Sequence, residues 1–235
     1  MQDAAIGIIC WAAPSVVAAI IGAAAAYATA FAADVAETLP EDGHLLPEMG
    51  RALLRGGVAN GGRLRYGLVS ALICAAVPLL AAIPLPVLAV LIALAVPASV
   101  MDARLLIIPE EFTWALLFAG ALLSPWHFGA EDAVVGAAIA CGVTWMTMTL
   151  MEYRTGLPMR SGGDIAAAAA GGAWVGMASS GVYVMSACVI FTVCAALSGA
   201  LSEKRFLPMG PALLAAIPVA PVLNAWIETF VANGL

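Results

Sequence analysis

Charge is scarce in this sequence. Only 10% of its 235 residues are Asp, Glu, Lys or Arg, and 63% are hydrophobic. A soluble domain carries about 25% charged and 45–50% apolar residues, so too little polar surface is present to solvate a globule. The nine basic residues are scattered, and the lack of a basic patch argues against nucleic acid as a partner. Cys-x-x-Cys pairs are absent. The five cysteines, Cys10, Cys74, Cys141, Cys188 and Cys194, all fall within apolar runs, where they read as small buried side chains rather than as disulfides or metal ligands. Histidine is limited to His44 and His127. Neither has a partner at ligand spacing, so both are expected at the surface and no metal site is expected. A basic stretch ahead of the first apolar run is also missing. That run is too long for a signal-peptide core, so it is read as a membrane helix.

What the chain has in abundance is apolar length. With a mean hydropathy of +1.03, it is expected to be all-α: a polytopic transmembrane helix bundle forming one domain over residues 1–235. Apolar segments run over 4–33, 66–83, 85–101, 112–123, 133–151, 165–179, 182–201 and 211–231. That gives about eight spans, several of them short against the roughly 20 residues of an untilted span. Pro84 and Pro86 mark a turn between the second and third. The fourth is the shortest, and Ile107 and Ile108 before it are candidates for membrane depth. The one sizeable polar segment, 34–65, is a short cytoplasmic loop in this reading, punctuated by Pro40 and Pro47.

Orientation follows from the cations. With eight spans, Arg51, Arg55, Arg63, Arg65, Arg104, Arg154, Arg160, Lys204 and Arg205 all fall in the loops after the first, third, fifth and seventh. By the positive-inside rule those loops are cytoplasmic and both termini lie outside the cytoplasm. Asp102 and Asp164 then share the cytoplasmic face.

These two aspartates are the chemically informative residues. Asp102 ends one apolar run, and Asp164 follows Ser161, Gly162 and Gly163 at the start of another. An ionised carboxylate in or beside hydrocarbon costs several kcal/mol, about 2.5–3.5 on insertion scales. Two carboxylates brought to one face by different helices can share a proton and activate water, which is the chemistry of an aspartic protease. The competing structural readings are an interfacial Asp102 that caps a helix or pairs with Arg104, and an Asp164 that acts as a helix N-cap.

Three elements carry a resemblance. Asp102 is followed seven residues on by Pro109 and then Glu110; Gly162 and Gly163 precede Asp164; and Pro208-Met209-Gly210-Pro211 opens the last apolar run. In order, spacing and membrane face, these elements resemble the type IV prepilin peptidases over about residues 98–214. The resemblance implies an aspartic endopeptidase of the bacterial cytoplasmic (inner) membrane, embedded in lipid, with Asp102 and Asp164 catalytic. Pro109, Glu110, Gly162, Gly163, Pro208, Gly210 and Pro211 would be the supporting motif residues. The implied substrates are prepilins or pseudopilins with a short basic leader.

The departures from the pattern are chemically mild. Ser161 replaces the first glycine of Gly-x-Gly-Asp, Glu110 an aspartate, and Met209 a phenylalanine. Relatives that also methylate the new N-terminus carry two Cys-x-x-Cys pairs, a zinc-binding arrangement, in the first cytoplasmic loop. Segment 34–65 has no cysteine, which argues against N-methylation. No cofactor is expected, with S-adenosylmethionine required only if methylation is retained. Arg63-Leu64-Arg65-Tyr66 is similar to the Arg-Tyr segment that leads into the second span of relatives.

Two alternatives stay open. A presenilin or signal-peptide-peptidase-like intramembrane protease shares Gly-x-Gly-Asp, and Pro211-Ala212-Leu213 matches its Pro-Ala-Leu element. The Asp-to-Pro spacing and the lack of Tyr before Asp102 speak against it. A small proton-coupled transporter would use the acids as a relay, but it should hold them near the midplane, often in repeated halves.

Other residues are read structurally. Glu110 and Glu111 suit a helix start, with tuning of the aspartate pair or contact with a basic leader as the functional alternative for Glu110. The small residues at 166–170 and at Gly172 and Gly176 suit close helix packing, with a groove for a substrate helix as the alternative. Asp34, Glu37, Glu41, Asp42 and Glu48 read as a solvated acidic loop, or as an attractor for a basic leader.

Overall fold

The computed structural model describes residues 2–37, 61–80, 83–127, 129–156, 158, 160–198 and 207–233. Pro40, Glu41, Asp42, His44, Pro47, Glu48, Arg51, Arg55, Lys204, Arg205 and both chain termini lie outside the described residues, as does the side chain of Cys10. Seven helices make up the described chain: α1 (Gln2–Glu37), α2 (Gly61–Leu80), α3 (Leu85–Leu105), α4 (Glu110–Leu123), α5 (Ala130–Thr155), α6 (Gly162–Leu197) and α7 (Gly210–Ala232). Six of them, all but α4, are long and apolar enough to cross a membrane. The described fold is thus all-α, and the chain is multi-pass by the length and composition of its helices.

Local chemistry sets the helix ends. Pro84 and Pro109 occupy the N-caps of α3 and α4 in extended backbone, a conformation that proline fixes without strain. α5 stops at Gly156, whose φ of 69° lets its N–H reach the Glu152 carbonyl, the left-handed ending glycine favours. α3 ends the same way on Leu106, with φ 55° and its N–H on the Asp102 carbonyl. A non-glycine residue in that region is uncommon and strained, and such strain gathers at functional sites.

α6 is two arms rather than one rod. Gly176 has φ 71° and ψ 179°, a region essentially closed to residues with a Cβ. The chain folds back there. Tyr183, twelve residues after Gly171, lies against the space a Gly171 Cβ would occupy, whereas a straight helix would hold them about 18 Å apart. The sequence places this break at 180–181; the structure puts it at Gly176. Asp132 explains the difference, because its Oδ1 accepts the Met177 N–H at 2.9 Å and starts the second arm as an N-cap would.

The main core forms where both arms of α6 meet α3, α4, α5 and α7, around Trp174, Tyr183, Leu116, Leu213 and Ile217. Glycines allow the closest approaches. Gly136 of α5 lies against the backbone of Gly172 and Gly176. Gly120 of α4 leaves room for the Trp174 ring, whose Nε1–H donates to the Leu116 carbonyl at 2.9 Å. Small residues at a membrane-helix interface have this packing role.

α1 and α2 pack on each other and on α3 through a buried ion cluster. Asp34 of α1 pairs with Arg63 of α2 and Arg104 of α3. Arg63 also lies over the Phe31 ring at 4.8 Å, and Arg104 over Tyr66 at 5.9 Å. Asp34 is therefore a buried ion-pair residue and not part of a solvated loop. The supposed loop is itself helical at both ends, through Glu37 and from Gly61. His127 also departs from its expected surface role. It is half-buried, with Nε2 2.8 Å from the Gly120 carbonyl and Nδ1 accepting the Gly129 N–H at 3.2 Å.

Candidate functional site

Asp102 sits in the last turn of α3 and is only 5% exposed. Its Oδ2 accepts the backbone N–H of Gly210, the first residue of α7, at 2.8 Å. This contact requires glycine. A Cβ on Gly210 would lie 2.6 Å from Asp102 Oδ2 and 2.8 Å from Ile108 Cδ1. The Pro208-Met-Gly-Pro element therefore brings a helix N-terminus with no side chain up to the carboxylate, and N-terminal amides favour negative charge there. The pairing of Asp102 with Arg104 weighed from sequence does not form, because Arg104 turns to Asp34.

Asp164 lies in the first turn of α6, half-buried. Ser161 is the N-cap of that helix, and its hydroxyl accepts the Asp164 N–H at a long 3.4 Å. The serine that replaces the first glycine thus starts the helix that carries the second acid, and Asp164 itself is not the cap. Gly163 permits the approach of the α3–α4 connection: its Cβ would stand 3.3 Å from Ile108 Cβ. Ile108 is consequently wedged between Gly163 and Gly210, the glycines next to the two acidic positions.

Both carboxylates line one cavity of about 460 Å³. α5 contributes Thr144, Thr147, Met148 and Met151; the second arm of α6 contributes Val184, Cys188, Phe191 and Thr192; and Leu207, Pro208 and Met209 complete the wall. Asp102, Asp164, Ser161, Arg160 and three threonines give the lining its polar groups, and the rest is mainly apolar. Arg160 is tied to Glu152 through Nε at 2.6 Å, an exposed pair of the kind that contributes ~0–1 kcal/mol.

The remaining candidates lie outside this lining. Pro109 is the N-cap of α4, and Glu110 and Glu111 are exposed in its first turn. Gly162 meets nothing within 4 Å of a would-be Cβ, and Pro211 faces a smaller apolar pocket between α2, α3 and α7. Among the described residues, no group of three or more His, Cys, Asp or Glu side chains is placed to hold a metal ion. Sequence reasoning missed Thr144 and Ile108. Neither carries a motif signal, and only the packing of α5 and of the α3–α4 connection reveals them.

Residues 88–201 match the model of the type IV leader peptidase family. The matched region is similar to that family and spans just under half of the chain. It contains Asp102 and Asp164 and begins within α3, after α1 and α2. A prepilin leader peptidase/N-methyltransferase of Pectobacterium carotovorum subsp. carotovorum is 38% identical over 80 residues. That stretch covers 33% of this chain and 29% of the relative, so the chain aligns with less than a third of the relative's length. No solved structure matches.

Proposed function

We propose that this chain is an aspartic endopeptidase of the bacterial inner membrane, acting as one unit over residues 1–235. It removes the short basic leader from prepilins or pilin-like proteins at the cytoplasmic face. One observation carries the reading: Asp102 and Asp164, delivered by the end of α3 and the start of α6, line a single cavity. The cavity combines the two acids with a mainly apolar lining, which suits a substrate whose polar leader meets an apolar helix.

In this mechanism the two carboxylates share one proton. The ionised member takes a proton from water as its oxygen attacks the scissile carbonyl carbon, and the protonated member donates to the carbonyl oxygen. Collapse of the tetrahedral intermediate breaks the C–N bond, and the leaving amine receives a proton. The pair titrates as a unit, so neither acid is assigned a fixed role. The Gly210 N–H anchors the Asp102 carboxylate at the cavity, and water enters from the cytoplasmic side.

The described helices support a topology of eight spans. Six helices are long enough, α6 counts twice because it folds back at Gly176, and α4 adds one more. Both termini then lie outside the cytoplasm, and the nine basic residues all fall on the side of the two acids. Large apolar side chains such as Leu72, Leu122 and Trp226, each more than 70% exposed, suit contact with lipid. The product's new amine stays unmethylated in this proposal, since the cysteine pairs of methylating relatives are absent. The position of the acids at helix ends, and not mid-span, argues against a proton-coupled transporter.

The test is to incubate the purified protein with a prepilin from the same genome and sequence the product's N-terminus. The expected cut lies at the junction of basic leader and apolar helix. Cleavage there that survives both Asp102→Asn and Asp164→Asn would overturn the proposal.

A further inference from the structure

α5 presents a buried stripe to the rest of the bundle: Ala133, Gly136, Ala140 and Thr144. The helical period puts these positions on one face. Its first three members are small and apolar, and Gly136 and Ala140 press on Gly172 of α6. Thr144 is the first polar member, and it stands where the stripe reaches the cavity that holds Asp102 and Asp164.

Its hydroxyl behaves differently from its neighbours. Thr147, Thr149 and Thr155 on the same helix each donate to the carbonyl four residues earlier, at 2.7–2.8 Å. Such back-bonding is the usual resort of a helical threonine. Thr144 is 3% exposed, and its Oγ1 has no hydrogen-bond partner among the described residues. A buried hydroxyl without a partner is unfavourable, and native proteins keep few of them without a purpose. A valine of nearly the same shape would fill the site without that penalty.

We propose that Thr144 is a substrate-binding residue, whose hydroxyl hydrogen-bonds the backbone of the peptide segment bound beside the two aspartates. A scissile segment drawn into this cavity loses water from its own amides and carbonyls. It therefore needs protein partners there, and Thr144 supplies one that no other described residue uses. The hydroxyl can donate to a carbonyl or accept from an N–H, so the contact is independent of the substrate's side chains. The inference rests on the peptidase reading above.

The test compares wild type, Thr144→Val and Thr144→Ser for cleavage of a prepilin and for thermal unfolding in detergent. Thr144→Val should lower kcat/KM about tenfold, the scale of one lost hydrogen bond to a bound peptide. Its unfolding midpoint should equal or exceed that of wild type, because the unpartnered hydroxyl is gone. Thr144→Ser should stay near the wild-type rate. A fully active valine variant, a serine variant as slow as valine, or a loss of rate matched by a loss of stability would overturn the assignment. If wild type cleaves no prepilin, the peptidase reading fails and takes this inference with it. If wild type and valine cleave equally, only this inference fails.

Discussion

Aspartates at opposite ends of the bundle do different work, Asp132 at one and Asp102 and Asp164 at the other. At the end away from the cavity, Asp132 is a structural residue, accepting the Met177 N–H and fixing the turn at Gly176. Around it Ser124 bonds the Trp174 carbonyl and His127 bridges Gly120 and Gly129. At the other end, Asp102 and Asp164 border open volume; the Asp102 carboxylate accepts the Gly210 N–H, and the backbone N–H of Asp164 meets the Ser161 hydroxyl. Asp132 is held by a backbone donor, whereas the proposed catalytic pair faces a cavity of about 460 Å³. What separates the structural acids from the proposed catalytic pair is the free volume beside the carboxylate, not burial as such.

This contrast can be broken most severely at its glycines. Gly176→Ala puts a Cβ 2.8 Å from both Asp132 Oδ2 and His127 Cβ, in a backbone region reserved for glycine. It should cost about 3 kcal/mol or more, seen as a large drop in the unfolding midpoint in detergent or as failure to accumulate in the membrane. Gly210→Ala, at the other end, crowds the Asp102 carboxylate and the flexible tip of Ile108. It should leave the midpoint within a few degrees of wild type while cutting cleavage by about a hundredfold or more, since displaced catalytic groups lose that much. Equal effects of the two substitutions on stability would erase the distinction between the ends.

The ion cluster gives the next largest effect. Asp34→Ala leaves Arg63 and Arg104 buried without their shared anion, and removing one partner of a buried pair costs ~3–5 kcal/mol. The loss should be read in thermal unfolding. An unchanged midpoint would show that α1 and α2 are held to α3 by apolar packing alone. Smallest is Asp132→Ala, which removes the cap on the second arm of α6 and should cost about 1 kcal/mol, with cleavage intact once the protein is folded.

Much of this was legible in the sequence. Apolar length marked the helices, and three short motifs marked the acids that the fold brings to one cavity. The Pro-Met-Gly-Pro element was visible as a motif, but its task, an N–H from Gly210 to Asp102, appears only when α7 meets α3. The break in α6 was expected at Ser180-Gly181, where the composition turns polar, whereas the side chain of Asp132, forty-five residues from Met177, selects Gly176. Asp34 looked like one of a run of solvated acids, because nothing local announces that Arg63 and Arg104 converge on it. His127 was misread for the same reason. In each case the missing information is a contact between residues distant in sequence, and helix periodicity in an all-round apolar chain carries little of it.

The central claim is that Asp102 and Asp164 act as one acid–base unit. It is tested most directly by the cleavage rates of Asp102→Asn, Asp164→Asn and the double variant, measured in protein shown to be folded. Groups that work as a unit are lost together, so each single variant should fall by about a thousandfold or more and the double variant no further. A single variant that keeps a substantial fraction of the wild-type rate, or losses that multiply in the double variant, would contradict it.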